Sequence, residues 1–185
     1  MKDFDLHAAI AEHRAAIDGV AGMEPALRRA AELICGAFAA GGRLFICGNG
    51  GSAADAQHLA AELTGRFEKE RRGYPAVALS TDTSALTSIG NDYGFDHIFA
   101  RQLEALAGRG DVLVAISTSG NSANIIKAVE QARAAGVRTI GLLGRDGGAC
   151  AKLVDVPLVV AAPRTARIQE VHVFILHLLC EALDA

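Results

Sequence analysis

The chain has 185 residues, of which 51% are hydrophobic and 21% charged, and its formal net charge is −3. This length and composition predict one globular domain with a substantial core, because two independent domains would be cramped. The charge balance gives no reason to expect nucleic acid or an anionic membrane as the main partner. No segment is apolar for long enough to span a bilayer, so we predict no membrane partner.

Cysteine usage and the amino terminus both predict a cytoplasmic protein. The spacing of the cysteines excludes zinc and redox motifs and indicates mostly small core residues with reduced thiols: Cys35, Cys47, Cys150 and Cys180. The first six residues carry Lys2, Asp3 and Asp5 without a following apolar stretch, unlike a secretion signal. Reduced thiols and the lack of a signal are typical of the cytoplasm.

The predicted elements alternate between strand and helix after an initial pair of helices. Helical periodicity covers residues 5–17, 25–40, 52–67, 84–89, 96–107, 122–135 and 165–183. Short apolar runs typical of strands cover residues 43–47, 75–80, 112–117, 137–143 and 156–160. These runs are almost continuously apolar, which indicates strands that are buried on both faces of a parallel sheet.

The order of the elements predicts an α/β fold. Strands that alternate with helices form right-handed βαβ crossovers, so we expect a three-layer αβα sandwich with a five-stranded parallel sheet. Residues 1–185 then form a single domain. The extra N-terminal helical pair, within residues 1–40, packs either on the sheet or on a neighbouring subunit, and both interpretations stay open.

A dense run of charged side chains, residues 68–73, lies between a predicted helix and a predicted strand. Such runs are usually solvated. We therefore expect these residues to form a loop whose side chains face water.

Two of the predicted strands end in loops that suit an anion. The first loop, residues 47–52, contains three glycines, which let backbone N–H groups approach a ligand closely. The second loop, residues 117–122, contains three serines and a threonine. Because open parallel sheets bind ligands at the carboxyl ends of their strands, we predict that the two loops together bind a phosphate group.

Two other interpretations of these loops compete with phosphate binding. Ser52 and Ser122 each precede a predicted helix and are candidates for ordinary N-caps. Gly48, Gly50 and Ala53 also match the loose G-x-G-x-x-A pattern of dinucleotide-binding folds. That class expects an acidic residue about 20 residues further on, whereas the next strand here ends later, near Asp82. It also leaves the second loop without a role.

Candidate acid–base and metal-binding residues follow the first loop and recur in the last helix. His58 and Glu62 are four residues apart and project from one helix face. Gln169 and His177 also share a face, with about 12 Å between their Cα atoms. Each residue alone is more often an ion pair or a core side chain, but the set suits Zn²⁺ or a related metal. The wide gap between Gln169 and His177 motivates a further hypothesis, a site shared between subunits.

Taken together, these motifs resemble the phosphoheptose isomerase family of the SIS (sugar isomerase) superfamily. The resemblance covers nearly the whole chain and rests on residues 47–52, 55–62, 90–94, 116–122, 167–170 and 177. It implies the SIS fold and an aldose–ketose isomerase that converts D-sedoheptulose 7-phosphate to D-glycero-D-manno-heptose 7-phosphate through an enediol. The product would enter ADP- or GDP-heptose biosynthesis for surface polysaccharide such as lipopolysaccharide.

The resemblance also implies roles for individual residues. Substrate contacts are expected from Asn49, Gly50, Gly51, Ser52, Glu62, Asn91, Asp92, Ser117, Thr118, Ser119, Ser122 and Gln169. One zinc ion per subunit is expected on His58, Glu62, Gln169 and His177. For proton transfer between C1 and C2 we predict Glu62 as the base and His177 as the acid. A homotetramer with sites near subunit interfaces is implied as well.

A non-catalytic SIS protein that binds the DnaA replication initiator is the alternative within the same fold. That relative lacks a glutamate and a histidine at the positions of Glu62 and His177, so their presence favours the enzyme. A sugar-phosphate-sensing regulator normally needs a DNA-binding segment. The N-terminal fifty residues are too short and too acidic to provide one.

Overall fold

A five-stranded sheet forms the centre of the molecule, which a computed structural model describes over residues 4–184. Its strand order is β2-β1-β3-β4-β5, and each neighbouring pair is parallel, which confirms the predicted sheet. The strands are β1 (Leu44–Gly48), β2 (Ala76–Ala78), β3 (Val112–Ser117), β4 (Arg138–Gly144) and β5 (Val156–Val160).

Helices cover both faces of this sheet. They are α1 (Leu6–Asp18), α2 (Glu24–Ala39), α3 (Gly51–Thr64), α4 (Thr83–Tyr93), α5 (Ala100–Leu106), α6 (Ala123–Ala134) and α7 (Thr165–Leu183). Side chains of β3 alternate between two cores: Val112 and Val114 pack with α2, α3 and α7, whereas Leu113 packs with α5 and α6. The strands are therefore buried on both faces, as their continuous apolar character predicts.

The N-terminal helices lie beside α7 in this chain. Helix α2 contacts β5, β3 and α7, and α1 contacts α7. One face of α2 is therefore used within the chain. The predicted contact with a neighbouring subunit stays a prediction.

The predicted element boundaries fail most clearly around α4. The predicted helix over residues 84–89 extends from Thr83 to Tyr93, so Asn91 and Asp92 lie in its last turn. The predicted helix over residues 96–107 divides into a 3₁₀ turn at Phe95–His97 and the shorter α5. Gly, Asn and Asp favour turns over helix interiors, which is why residues 90–92 were not predicted to be helical.

Two compositional predictions concern the cysteines and the membrane. All four cysteines are free; Cys47, Cys150 and Cys180 are buried, and Cys35 is exposed, so most are indeed small core residues. Between residues 4 and 184, no helix combines the length and apolar character that crossing a bilayer requires.

Candidate active site

The two predicted anion loops lie side by side at the carboxyl edge of the sheet. Gly48 at the end of β1 pairs with Ile116 near the end of β3. In the order β2-β1-β3-β4-β5, the chain leaves β1 toward one side of the sheet and leaves β3 toward the other. Connections that diverge in this way open a crevice at the strand ends, which is where parallel sheets bind ligands.

The first loop is a tight turn that starts α3. The carbonyl of Asn49 accepts the N–H of Ser52 at 2.9 Å. Gly50 has φ 56° and ψ −120°, the values of the first central residue of a type II′ turn, where glycine is strongly preferred. Gly50 is the N-cap of α3, so Ser52 lies inside the helix, and the interpretation of Ser52 as an N-cap is wrong. The N–H groups of Ser52 and Ala53 donate to the carbonyls of Asn49 and Gly50, whereas the N–H of Gly51 has no hydrogen-bond partner among the described residues and borders the loop.

The second loop gathers several hydroxyl groups. Ser122 occupies the N-cap position of α6, but its hydroxyl makes no capping hydrogen bond and lies 3.3 Å from Oγ of Ser117. The Ser117 hydroxyl also accepts the N–H of Gly120 at 3.1 Å. Ser122 is therefore the N-cap residue of α6, as predicted, but its hydroxyl does not cap the helix. Thr118 and Ser119 are half-buried at the tip of the loop.

A reciprocal amide pair joins the first loop to α6. Asn49 donates through Nδ2 to Asn124 Oδ1 at 2.9 Å, and Asn124 donates through Nδ2 to Asn49 Oδ1 at 2.8 Å. Asn124 is only 2% exposed. Sequence reasoning missed this residue, although a polar side chain in the buried stripe beside Ile125 and Ala128 was a signal. The pair uses one N–H and one oxygen lone pair of the Asn49 amide, and the predicted substrate contact of Asn49 stays a prediction.

A third segment, residues 144–150, packs against the second loop and is hydrogen-bonded to it. Oδ1 of Asn121 accepts the N–H of Ala149, and the carbonyl of Gly120 accepts the N–H of Cys150, both at 3.0 Å. Gly120 has φ +64°, and a Cβ atom there would lie 2.0 Å from the carbonyl oxygen of Gly147. Only glycine fits this position.

The predicted acid–base residues meet between α3 and α7. Nε2 of His58 lies 3.1 Å from Oε1 of Glu62 and 3.4 Å from Nε2 of His177. The two imidazole rings are nearly perpendicular, with centroids 5.1 Å apart. Since a carboxylate only accepts, the His58–Glu62 hydrogen bond requires the tautomer of His58 that carries its proton on Nε2. The structure thus brings three predicted residues together within one chain.

His58, Glu62 and His177 are also three of the four predicted zinc ligands. Two nitrogens bound to one zinc ion at about 2.0–2.1 Å in a tetrahedron lie about 3.3–3.4 Å apart, close to the separation of the His58 and His177 nitrogens. Within residues 4–184, no group of three or more His, Cys, Asp or Glu side chains is arranged so that it could hold a metal ion. The donor types fit zinc, but Glu62 would have to exchange its hydrogen bond to His58 for the metal.

Residues 10–144 match the family model of the SIS domain. The phosphoheptose isomerase of Geotalea daltonii is 59% identical over 162 residues, which are 88% of this chain and 84% of that protein. This chain belongs to the phosphoheptose isomerase family.

Solved structures of that family share the fold over almost the whole chain. The phosphoheptose isomerase of Neisseria gonorrhoeae superposes with a TM-score of 0.92 at 50% identity and covers 97% of this chain and 96% of its own. The phosphoheptose isomerase of Francisella tularensis superposes with a TM-score of 0.89 at 37% identity, over 98% of this chain and 99% of its own. The predicted SIS fold is confirmed.

Gln169, the fourth predicted zinc ligand of the family pattern, lies beside the first loop. A Cβ atom at Gly51 would lie 2.3 Å from Nε2 of Gln169, so the amide covers the start of α3. Among the described residues, no hydrogen bond joins Gln169 to His58, Glu62 or His177. This position suits the predicted substrate contact of Gln169 better than its predicted metal contact.

Asn91 and Asp92 lie apart from this cluster. Both are exposed on α4, and Nδ2 of Asn91 donates to Oδ1 of Asp92 at 2.7 Å. Within residues 4–184, no hydrogen bond connects them to either loop. Their predicted substrate contacts stay predictions, and a site shared between subunits is the hypothesis that accommodates them.

Asp55 is a buried carboxyl that sequence reasoning did not single out. It shares a stripe of α3 with His58 and Glu62, is 8% exposed, and its Oδ2 has no hydrogen-bond partner among the described residues. Burial raises the pKa of the Asp55 carboxyl to about 6, and nearby His58 opposes the shift. Its spacing from His58 and Glu62 was the available signal.

Proposed function

We propose that this chain is an aldose–ketose isomerase that converts D-sedoheptulose 7-phosphate to D-glycero-D-manno-heptose 7-phosphate. One observation carries the proposal: α3 begins at the anion loop and, two turns later, places His58 and Glu62 beside His177. A phosphate site and an acid–base group thus lie along one helix. The relatives named phosphoheptose isomerase support the same reaction.

The phosphate group would be bound by neutral donors. The N–H groups that start α3 and the hydroxyls of Ser117, Thr118, Ser119 and Ser122 border one crevice. Helix N-termini bind phosphate through N–H groups and the helix dipole, so no lysine is required. This arrangement agrees with a chain whose formal net charge is −3.

The isomerisation would use the residues at the other end of the crevice. A ketose becomes an aldose when a proton moves between C1 and C2 through an enediol. Glu62 is the proposed base for this proton, and His177 is the proposed acid that serves the oxygens. Without the metal, the hydrogen bond with His58 orients the Glu62 carboxylate; a weak or substrate-dependent metal contact would leave Glu62 able to act as the base.

We further propose one zinc ion per subunit, held by His58, Glu62 and His177. Gln169, the fourth ligand of the family pattern, lies beside the first loop in this chain, so its metal contact would need a site shared between subunits. A bound zinc ion would polarise the substrate carbonyl as a Lewis acid. The donor chemistry and the facing imidazole nitrogens support the assignment. Dialysis against a chelator should abolish turnover, and addition of zinc should restore it. Elemental analysis should find less zinc in the His58→Ala variant than in the wild-type protein. A metal-free protein with full turnover would contradict this.

The proposed setting is a homotetramer in the cytoplasm that supplies heptose for lipopolysaccharide. Exposed α4, which carries Asn91 and Asp92, supports a site completed by a neighbouring subunit. A monomer that retains full activity at working concentration would contradict this arrangement.

The decisive experiment is turnover of sedoheptulose 7-phosphate by the purified protein and two variants. Glu62→Gln and His177→Ala should each lower kcat by about 10²–10⁴, the usual contribution of a general acid or base. Glu130→Gln, on the exposed face of α6, is the matched control and should keep wild-type turnover. Activity that survives in both site variants would remove the catalytic assignment. A wild-type protein without turnover that binds a replication initiator tightly would favour the DnaA-binding alternative.

A further inference from the structure

Residues 65–74, which follow α3, fold back onto α7. Phe67 in this segment places its ring 5.6 Å from the imidazole of His177, centroid to centroid, at a tilt of 31°. Phe67 is half-buried and packs against the core that α2, α3 and α7 share. Its ring therefore forms part of the packing that limits how the His177 imidazole can turn.

A nearly buried ion pair holds the segment in place. Asp184, directly after α7, accepts the N–H groups of Glu68 and Lys69 at 3.0 Å each and Nε of Arg71 at 2.6 Å. The side chains of Arg71 and Asp184 are only 13% and 5% exposed. The prediction that residues 68–73 form a fully solvated loop is therefore wrong at Arg71. Its partner lies 113 residues further along the chain, beyond the reach of local pattern.

Arg71 also caps the end of α3. Its guanidinium donates to the carbonyls of Glu62 at 3.1 Å and Leu63 at 3.0 Å in the last helical turn, and the Leu63 carbonyl also accepts the N–H of Tyr74 at 2.8 Å. The same guanidinium lies 4.4 Å from the ring centroid of Tyr74, whose hydroxyl donates to the carbonyl of Leu183 at 3.2 Å. Arg71 thus joins the end of the helix that carries Glu62 to the end of the helix that carries His177.

We propose that Phe67 is a positioning residue for His177 and that the Arg71–Asp184 pair holds Phe67 in place. This inference rests on the proposed isomerase function. Proton transfer needs its groups within hydrogen-bond reach, and a displacement of about 1 Å costs on the order of 100-fold in rate. The pair lies at the carboxyl ends of α3 and α7, whereas the anion loop lies at the start of α3. Loss of the pair should therefore disturb the acid–base end and spare phosphate binding.

Kinetics of three variants test the proposal. Phe67→Leu and Asp184→Asn should lower kcat by roughly 10- to 100-fold with KM within about twofold of wild type, since phosphate binding is spared. Phe67→Tyr keeps the ring and should restore kcat.

Asp155→Asn is the matched control for Asp184→Asn. Asp155 accepts the N–H and the hydroxyl of Thr139 at 2.8 and 3.0 Å, at the amino edge of the sheet. Both carboxamide variants should melt at lower temperature, but only Asp184→Asn should lose kcat. Wild-type kcat in Phe67→Leu and Asp184→Asn, or an equal loss in Asp155→Asn, would overturn the proposal.

A readout without turnover separates this proposal from the proposed function. The ring current of Phe67 shifts the imidazole proton resonances of His177, which the His177→Gln spectrum identifies. Asp184→Asn should move these resonances toward those seen in Phe67→Leu, and unchanged resonances would overturn the role of the pair. Absence of turnover in the wild-type protein would contradict the isomerase function, while these spectra would still decide whether the pair holds Phe67.

Discussion

The anion loops and α4 both carry predicted substrate residues, but they are built in opposite ways. The amide pair of Asn49 and Asn124 ties the first loop to α6, which begins where the second loop ends, and residues 144–150 contact the second loop through hydrogen bonds. None of the 11 described residues of α4 is buried, and Asn91 donates to its neighbour Asp92. The proposed phosphate end of the site is therefore organised within one chain, whereas α4 has little packing of its own to fix it.

The largest expected effect is on the stability of the second loop. Gly120→Ala combines φ +64° with a Cβ atom 2.0 Å from the Gly147 oxygen, so the free energy of unfolding should fall by more than about 3 kcal/mol. Gly94→Ala, at the end of α4, is the control: its φ is +87°, and no atom lies within 4 Å of the added Cβ. It should cost about 1–3 kcal/mol, because φ +87° with ψ 157° is a conformation nearly restricted to glycine. Equal losses in urea unfolding would show that the contact with residues 144–150 contributes nothing.

His172, beneath the second loop, should make stability depend on pH. Its Nε2 lies 3.0 Å from the carbonyl oxygen of Leu143, and burial lowers the pKa of the imidazole from 6.5 to about 4. The unfolded chain takes up a proton below pH 6.5 while the folded chain stays neutral. Stability is therefore lost as pH falls from 6.5 to 4, by about 3 kcal/mol in total. Urea unfolding across this range should show a weaker dependence in His172→Asn.

Asp55 acts in the opposite sense over the same range. Because its pKa is raised from 3.8 to about 6, its contribution is present below pH 3.8 and lost as pH rises through 6. The free energy of unfolding should therefore fall more steeply between pH 6.5 and pH 4 in Asp55→Asn than in the wild-type protein. An unchanged pH dependence in His172→Asn would assign the acid sensitivity to other groups.

A smaller effect is expected from the amide pair between the first loop and α6. Asn124→Ala leaves Asn49 without its partner and should cost about 1–3 kcal/mol of unfolding free energy. It should also raise KM, because the first loop loses its anchor. In a double-mutant cycle, Asn49→Ala with Asn124→Ala should cost less than the sum of the single changes. Strict additivity would show that the pair is not coupled.

The smallest change in stability is expected on α4. Asn91→Ala should alter the free energy of unfolding by less than about 0.5 kcal/mol, as exposed substitutions usually do. It should lower kcat/KM by about tenfold, since loss of one positioning contact is worth about 1.4 kcal/mol.

Mixed oligomers sharpen this last comparison. If α4 of one subunit completes the site of another, refolding Asn91→Ala together with Glu62→Gln should restore part of the activity that each variant lacks. Mixtures that show only the averaged activity of the two variants would place α4 and Glu62 in the same subunit's site.

Local pattern predicted the parts of the site that lie close in sequence. The apolar strands located both loops, and the spacing of His58 and Glu62 placed both on one helix face. For Asn124, the pattern offered a polar residue in a buried stripe but gave no indication of its partner, which lies 75 residues earlier in the chain. It also misjudged Arg71, because the carboxylate that buries it lies at the far end of the chain.

The common direction of α3 and α7 sets a length scale for the substrate. Gln169 lies over Gly51, and His177 meets His58, which is seven residues after Gly51 on α3. The proposed phosphate site and the proposed acid–base group are therefore about 10 Å apart along α3. An open-chain pentose phosphate is two carbon–carbon bonds shorter than a heptose phosphate and would reach less far along this span. We expect turnover to rise steeply from five to seven carbons when sugar phosphates of each length are compared at saturation.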